Sequence, residues 1–160
     1  MSIPVPGGVM IPRIMALPAR LERTLTLLKN TPRSIRGHAL LDFSRTLPPL
    51  PAEYHGEMKD QLERVVECQT PFFLATRLED DQTVRIFFDA PPQSPTIRGY
   101  AGLLAVGLDG ESAQAVLDLP EDFYYGVGLE EVVSPLRLRG MGAIVATLKN
   151  QVRRHLEQAA

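Results

Sequence analysis

The sequence is poor in cysteine. Its 160 residues include one, Cys68, so no internal disulfide can form and cysteines alone cannot hold zinc or an iron–sulfur cluster. Histidine is nearly as scarce. His38, His55 and His155 lie far apart, and none has a carboxylate or thiol at metal-ligand spacing. These shortages favour a reducing, cytoplasmic setting and a chain that holds no metal or other cofactor of its own. An excess of one charge is also missing. Seventeen basic against nineteen acidic residues leave a formal charge of −2, whereas a protein built to coat nucleic acid is usually clearly basic. Apolar runs are only a few residues long, so no membrane-spanning segment is expected. The first residues carry Pro4, Pro6, Gly7, Gly8 and Pro12 without a charged start and apolar stretch, and do not read as a secretory signal.

What is present reads as one ordinary domain. Charged residues make up 22% and hydrophobic ones 44%, values typical of globular chains. A chain of this length buries roughly 70% of the surface its extended form exposes. Residues 1–17 are expected to form an extended or flexible lead, and residues 18–160 the domain. Pro18 precedes Leu21, Leu25 and Leu28 at helical spacing, and Asn30 and Pro32 stop that helix. Ser34 is the expected cap of a second helix with Ile35, Ala39, Leu40, Phe43 and Leu47 on one stripe, ended by the Leu47–Pro51 run. Residues 52–61 are polar and turn-like.

From Leu62 the period becomes two. Val65 and Val66 suggest a short strand ending near Cys68. Phe72, Leu74, Thr76 and Leu78 alternate with their neighbours, and Val84, Ile86 and Phe88 do the same beyond a polar turn at Glu79–Gln82. Three antiparallel strands result, one face packing on helices. Ser94-Pro95 is the expected cap and first turn of a helix with Ile97, Ala101, Leu104 and Leu108 on one face. A short helix follows over 112–118 and another turn or two over 120–125. Ser134-Pro135 opens the longest helix, with Leu138, Met141, Val145, Leu148, Val152 and Leu156 on one face and Lys149, Arg153 and Arg154 as its basic end. The order predicts an α+β fold: a small antiparallel three-stranded sheet packed against helices, an N-terminal helical hairpin and a long C-terminal helix.

Cys68 is the one strong nucleophile. Pro71 holds Thr70 extended, so the thiol sits in a fixed bend before the hairpin. The plainer reading is that a lone cysteine fills a core as a small apolar side chain. Glu67 disfavours the thiolate if its carboxylate is near, and a nearby arginine would favour it. A cysteine hydrolase needs a histidine base. His38 on a helix, His55 in a loop and His155 near a frayed end read instead as solvated surface residues, and a thiol peroxidase lacks its resolving cysteine. Arg98 and Arg137 stand in first helical turns, where a cation opposes the helix dipole, which marks both as candidates. Gly126-Val127-Gly128 is no nucleotide fingerprint, because it follows no strand and lacks the third glycine. Phe72, Phe73, Phe87 and Phe88 read as core rather than as a base-stacking platform.

Taken together, these residues resemble the SufE-type cysteine desulfuration proteins. In that family a glycine–cysteine–glutamine stretch leads into an aromatic strand, matched here by Cys68, Gln69, Phe72 and Phe73. A basic residue and glycine before an apolar helix are matched by Ile97-Arg98-Gly99 with Leu103 and Leu104. The serine–proline–x–arginine–x–x–glycine run is matched by Ser134 to Gly140, and the helical hairpin ends in Leu47-Pro48 as in the family. The resemblance covers about residues 18–156. It departs at Glu67, where the family has glycine, at Thr70-Pro71, at Pro91-Pro92-Gln93 in place of an acidic run, at Leu136 in place of serine, and at Val132 in place of a frequent histidine.

The resemblance implies a sulfur acceptor in iron–sulfur cluster assembly, accessory to an enzyme and not one by itself. A separate pyridoxal-phosphate cysteine desulfurase would present a persulfide, and Cys68 would take its outer sulfur and pass it to an iron–sulfur scaffold. It also implies roles for Gln69 in loop support and for Arg137 at the thiolate, the persulfide or the partner, with Arg98 a weaker candidate of the same kind. The competing expectation is an interaction module of the same fold, regulating a desulfurase or another partner, in which Cys68 only fills space. A working carrier is expected to keep Cys68 sheltered at rest.

Overall fold

The computed structural model describes residues 3–4, 10–11, 17–120, 122–125 and 128–160. Most of the expected lead over 1–17 lies outside them, as do Gly126 and Val127 of the glycine pair. Within the lead, Ile3–Pro4 (β1) pairs antiparallel with Met10–Ile11 (β2).

Leucines spaced four and three apart share a helical face. The first helix, α1 (Ala19–Asn30), accordingly buries Leu21, Leu25 and Leu28. The second, α2 (Arg33–Ser44), starts earlier than expected. Pro32 leads the chain in with φ −54°, and Ser34 falls inside the first turn instead of capping it. Its buried stripe is also rotated: Arg36 and Leu40 are buried, Ile35 is exposed, and Leu47 is buried beyond the helix end. The cause is Arg36, which turns inward to meet the last carbonyls of α1.

Against this hairpin lies α3 (Pro95–Leu108), with Leu103, Leu104 and Leu108 fully buried. Gly99 and Gly102 let it come backbone-close to α2, since a Cβ at either would strike the carbonyl oxygen of Leu40 or Phe43. Ser94 holds the position before Pro95 but makes no side-chain capping bond, unlike the sequence expectation. Arg20 on α1 reaches the other end of α3 and donates to the carbonyls of Val106 and Asp109.

The main sheet has the order β3 (Glu63–Arg64), β4 (Phe73–Leu78), β5 (Val84–Asp89), all antiparallel. Register runs from Phe73 opposite Asp89 to Leu78 opposite Val84. The connecting turn closes through Glu79 N–H to Thr83 O and Gln82 N–H to Glu79 O. The first strand is shorter than expected. The strand ends at Arg64, one further bond from Val65 N–H to Phe72 O closes the ladder, and the chain then turns away, leaving Val66 75% exposed. Alternation puts Leu74, Thr76, Val84, Ile86 and Phe88 on one face, all buried. The polar stretch after Pro51 covers part of the other face. Its short 3-10 turn (Ala52–His55) seats a fully buried Tyr54 against Phe87, with ring centroids 4.9 Å apart.

Ser112 caps α4 (Ala113–Leu117) by accepting the Ala115 N–H, and farther on Phe123 N–H returns to Pro120 O and Tyr125 N–H to Asp122 O. The last helix, α5 (Pro135–Ala159), opens as expected, with the Ser134 hydroxyl accepting the Arg137 N–H. Its basic residues are not at its end. Lys149 is buried in mid-helix and donates to Leu119 O at 2.6 Å, and the helix continues to Ala159. His155 is not frayed either. Its Nε2 lies 3.0 Å from the Thr76 carbonyl oxygen and 2.9 Å from the Thr76 hydroxyl. A carbonyl only accepts, so Nε2 carries the proton. Beside it the buried Gln151 receives the Thr76 hydroxyl and donates to Leu74 O and Glu63, docking α5 onto β3 and β4. Among the described residues no helix is long and apolar enough to cross a membrane.

Candidate functional site

The loop from β3 to β4 is built by two backbone bonds. Val65 N–H donates to Phe72 O at 2.9 Å, closing the loop at its base, and Cys68 N–H donates to Val65 O at 3.1 Å, folding its first half into a tight turn. Val65 and Phe72 are buried and anchor the loop to the core, while Val66, Glu67 and Gln69 face outward. The three-residue turn that brings Cys68 back to Val65 sends Cys68 inward. The residue is 7% exposed, and its Sγ lies 3.9 Å from the Gly140 carbonyl oxygen on α5. Gly140 is small for a reason, since a Cβ there would stand 3.2 Å from that sulfur.

A cavity of about 310 Å³ opens beside the thiol. Cys68, Gln69 and Thr70 line it from the loop, residues 93–97 from the approach and first turn of α3, and Leu136, Arg137 and Gly140 from the start of α5. Arg137 is exposed and donates to the Thr96 hydroxyl at 3.3 Å, bridging the two helix starts. Among the described residues no carboxylate lines the cavity. Burial pushes the Cys68 thiol up to about 11, and the negative charge of Glu67 adds to the rise. In this closed arrangement the sulfur is therefore a protonated thiol at neutral pH. Two tyrosines hold the start of α5: Tyr124 donates to Leu138 O at 3.1 Å and the buried Tyr100 to Met141 O at 3.4 Å.

The structure brings Cys68, Gln69 and Arg137 to one cavity and places Arg98 outside it. Arg98 reaches back instead, donating to Ala90 O at 2.8 Å across the proline-rich break before α3. Gln69 is exposed, and its amide makes no hydrogen bond among the described residues; the backbone bonds shape the loop. No histidine lines the cavity: His38 and His55 are exposed, and His155 is engaged with β4. Among the described residues no three histidine, cysteine or acidic side chains group to hold a metal. Gln93 and Thr96 are lining residues the sequence reading missed. Their signal was weak, namely polar residues beside the Ser94-Pro95 start.

Fold and site together define a small α+β domain that shelters a single cysteine in a strand-connecting loop against the first turns of two helices. The chain belongs to the SufE family, whose Fe-S metabolism associated domain matches residues 22–152. It is 41% identical over 138 residues to an uncharacterized SufE-like protein of Mycobacterium tuberculosis, an alignment covering 86% of this chain and 94% of that one. To SufE-like protein 1, chloroplastic/mitochondrial, of Arabidopsis thaliana it is 24% identical over 129 residues, which cover 80% of this chain but 33% of the plant protein. The solution structure of a hypothetical protein from Thermus thermophilus superposes with a TM-score of 0.78 at 44% identity, covering 88% of this chain and 98% of that one.

Proposed function

We propose that this member of an iron–sulfur metabolism family is a sulfur carrier with Cys68 as its acceptor. The observation that supports the reading best is the cavity, which the chain's one thiol and Arg137 both line. The donor is a cysteine desulfurase, a pyridoxal-phosphate enzyme holding sulfur as a cysteine persulfide, and the recipient is an iron–sulfur scaffold. In the transfer, the Cys68 thiolate attacks the outer sulfur of the donor persulfide. The donor S–S bond breaks, a new S–S bond forms on Cys68, and the donor cysteine leaves as a thiolate that takes up the proton. No net oxidation occurs, and neither a metal nor a histidine base is needed.

Thiol exchange depends on thiolate fraction, on access and on the leaving thiol, with a lower leaving-group pKa giving faster departure. The burial that raises the Cys68 pKa therefore slows both halves of the traffic. It suppresses attack by the free thiol and makes Cys68 a poor leaving group once loaded. Loading and delivery then require the loop to leave the cavity on a partner's surface, with binding energy covering the cost. A lone thiol of this kind suits a reducing, cytoplasmic compartment. Gln69, exposed at the loop tip and without a side-chain bond to the loop, is assigned to partner contact, and Arg137 to holding the anionic sulfur at the cavity mouth. Arg98 serves this role only indirectly, by tying down the start of α3.

Intact mass after incubation with a cysteine desulfurase and L-cysteine, without reductant, tests the proposal. The wild type should gain the mass of a sulfur atom, lose it on adding a thiol reductant, and Cys68→Ser should gain nothing. An unmodified wild type beside an active donor would leave the interaction-module reading, with Cys68 as core filler. Arg137→Ala is expected to slow loading by about tenfold, the loss of one charge-assisted contact. Unchanged loading together with unchanged desulfurase binding would remove Arg137 from the site.

A further inference from the structure

The cavity wall on α5 is tied down from the far side of the hairpin. Arg36 is a buried cation on α2, and each of its five N–H groups has an acceptor. Three go to carbonyls at the C-terminal end of α1 and the residue just past it: Nε to Leu28 O, and the two donors of Nη2 to Lys29 O and Thr31 O. The other two, on Nη1, go to Gly128 O and the Glu131 carboxylate. Gly128 sits at φ +88°, and a Cβ there would collide with the guanidinium, so the turn and the arginine fit only each other.

From that clamp the chain has little slack before the site. Leu129–Glu131 is one 3-10 turn, Val133 N–H returns to Leu129 O, and Ser134 caps the helix that carries Arg137 and Gly140. We infer that Arg36 is a positioning residue for the Cys68 cavity, fixing the lead-in to α5 so that Gly140 closes over the sulfur and Arg137 reaches Thr96. Lysine cannot replace it, because three donors on a single nitrogen cannot serve acceptors on two sides of a planar fork. The competing anchor is apolar. Leu129 is fully buried and Val133 nearly so, and if they alone seat the turn, Arg36 only supports α1.

The inference concerns how Cys68 is enclosed, so its test does not require that Cys68 carry sulfur. For a sulfur carrier, its consequence is that loosening this clamp lets the loaded sulfur leak to stray thiols. The experiment is the rate of Cys68 alkylation by iodoacetamide, read by intact mass at a temperature where melting curves show every variant folded. Arg20→Lys is the control. Arg20 makes a similar helix-end clamp, at the C-terminus of α3 and away from the cavity. Arg36→Lys is expected to alkylate about tenfold faster than wild type, with the pH midpoint of the rate moved below about 11, while Arg20→Lys keeps the wild-type rate and midpoint. A wild-type rate in folded Arg36→Lys, or an equal rise in both variants, would overturn the inference. Should Arg36→Lys not fold, Glu131→Ala removes only the half-exposed partner; a several-fold faster rate supports the clamp and an unchanged rate overturns it.

Discussion

At pH 7 the Cys68 thiol of the free protein is expected to react with iodoacetamide about a hundredfold more slowly than an exposed cysteine, from its thiolate fraction alone. The reason is the rise from 9.0 to about 11, caused first by burial and then by Glu67. Limited access at 7% exposure slows it further. The rate should climb about tenfold per pH unit through the neutral range and level off near 11. A plateau near pH 9, measured by intact mass against time, would mean that the sulfur is not enclosed in the free protein. Glu67→Gln is expected to lower the midpoint only in part, because burial is the larger cause. The same shift fixes the sign of a stability effect. The folded state holds the Cys68 proton more tightly than the unfolded chain, so this contribution is complete below about pH 9 and lost as pH rises through about 11. Urea midpoints should therefore fall across that window in the wild type and less so in Cys68→Ser.

Replacing Gly102 by alanine is expected to cost about 3 kcal/mol or more, a large share of the stability of a domain this size. The added methyl would overlap the Phe43 carbonyl, which is main chain and cannot rotate away, and Phe43 Cβ would lie 3.3 Å off. Relief requires α3 to move away from α2, opening a packed interface that also contains the Gly99 contact with Leu40. A melting temperature lowered by roughly 10 °C is the expected reading. Gly37→Ala on α2 is the comparison, because a Cβ there meets nothing within 4 Å. A helix-interior glycine-to-alanine change in open space should be neutral or stabilise by about 0.5–1 kcal/mol. If both variants melted alike, the close approach of α3 to α2 would be wrong.

Much of this fold was legible in local patterns. Leu21, Leu25 and Leu28 announced α1, the alternation through Leu74 and Ile86 announced the hairpin, and Ser134-Pro135 marked the start of α5 to the residue. Those signals act between neighbours in sequence, through helical and strand periodicity and through caps. The blocks holding Cys68, Gln69 and Arg137 were legible too, and they do converge on one cavity. Local patterns failed where a long-range partner outweighed them. Ser34 lost the cap to Pro32 while Arg36 turned the stripe of α2 inward, and Lys149 left the expected basic end for the Leu119 carbonyl.

The sequence alone therefore determined the main helices and the β4–β5 hairpin, their order, and that a single thiol would carry whatever cysteine chemistry this SufE-family chain has. Only the tertiary structure decided that Cys68 is enclosed and protonated, that Arg36 and Lys149 are buried cations, and that Gly99, Gly102 and Gly140 are sites of close approach. The physical reason is range. Cys68 meets Gly140 across 72 residues and Arg36 meets Glu131 across 95. Burial, charge and pKa at such contacts depend on which surfaces the whole core brings together, and periodicity over a few residues carries no record of that.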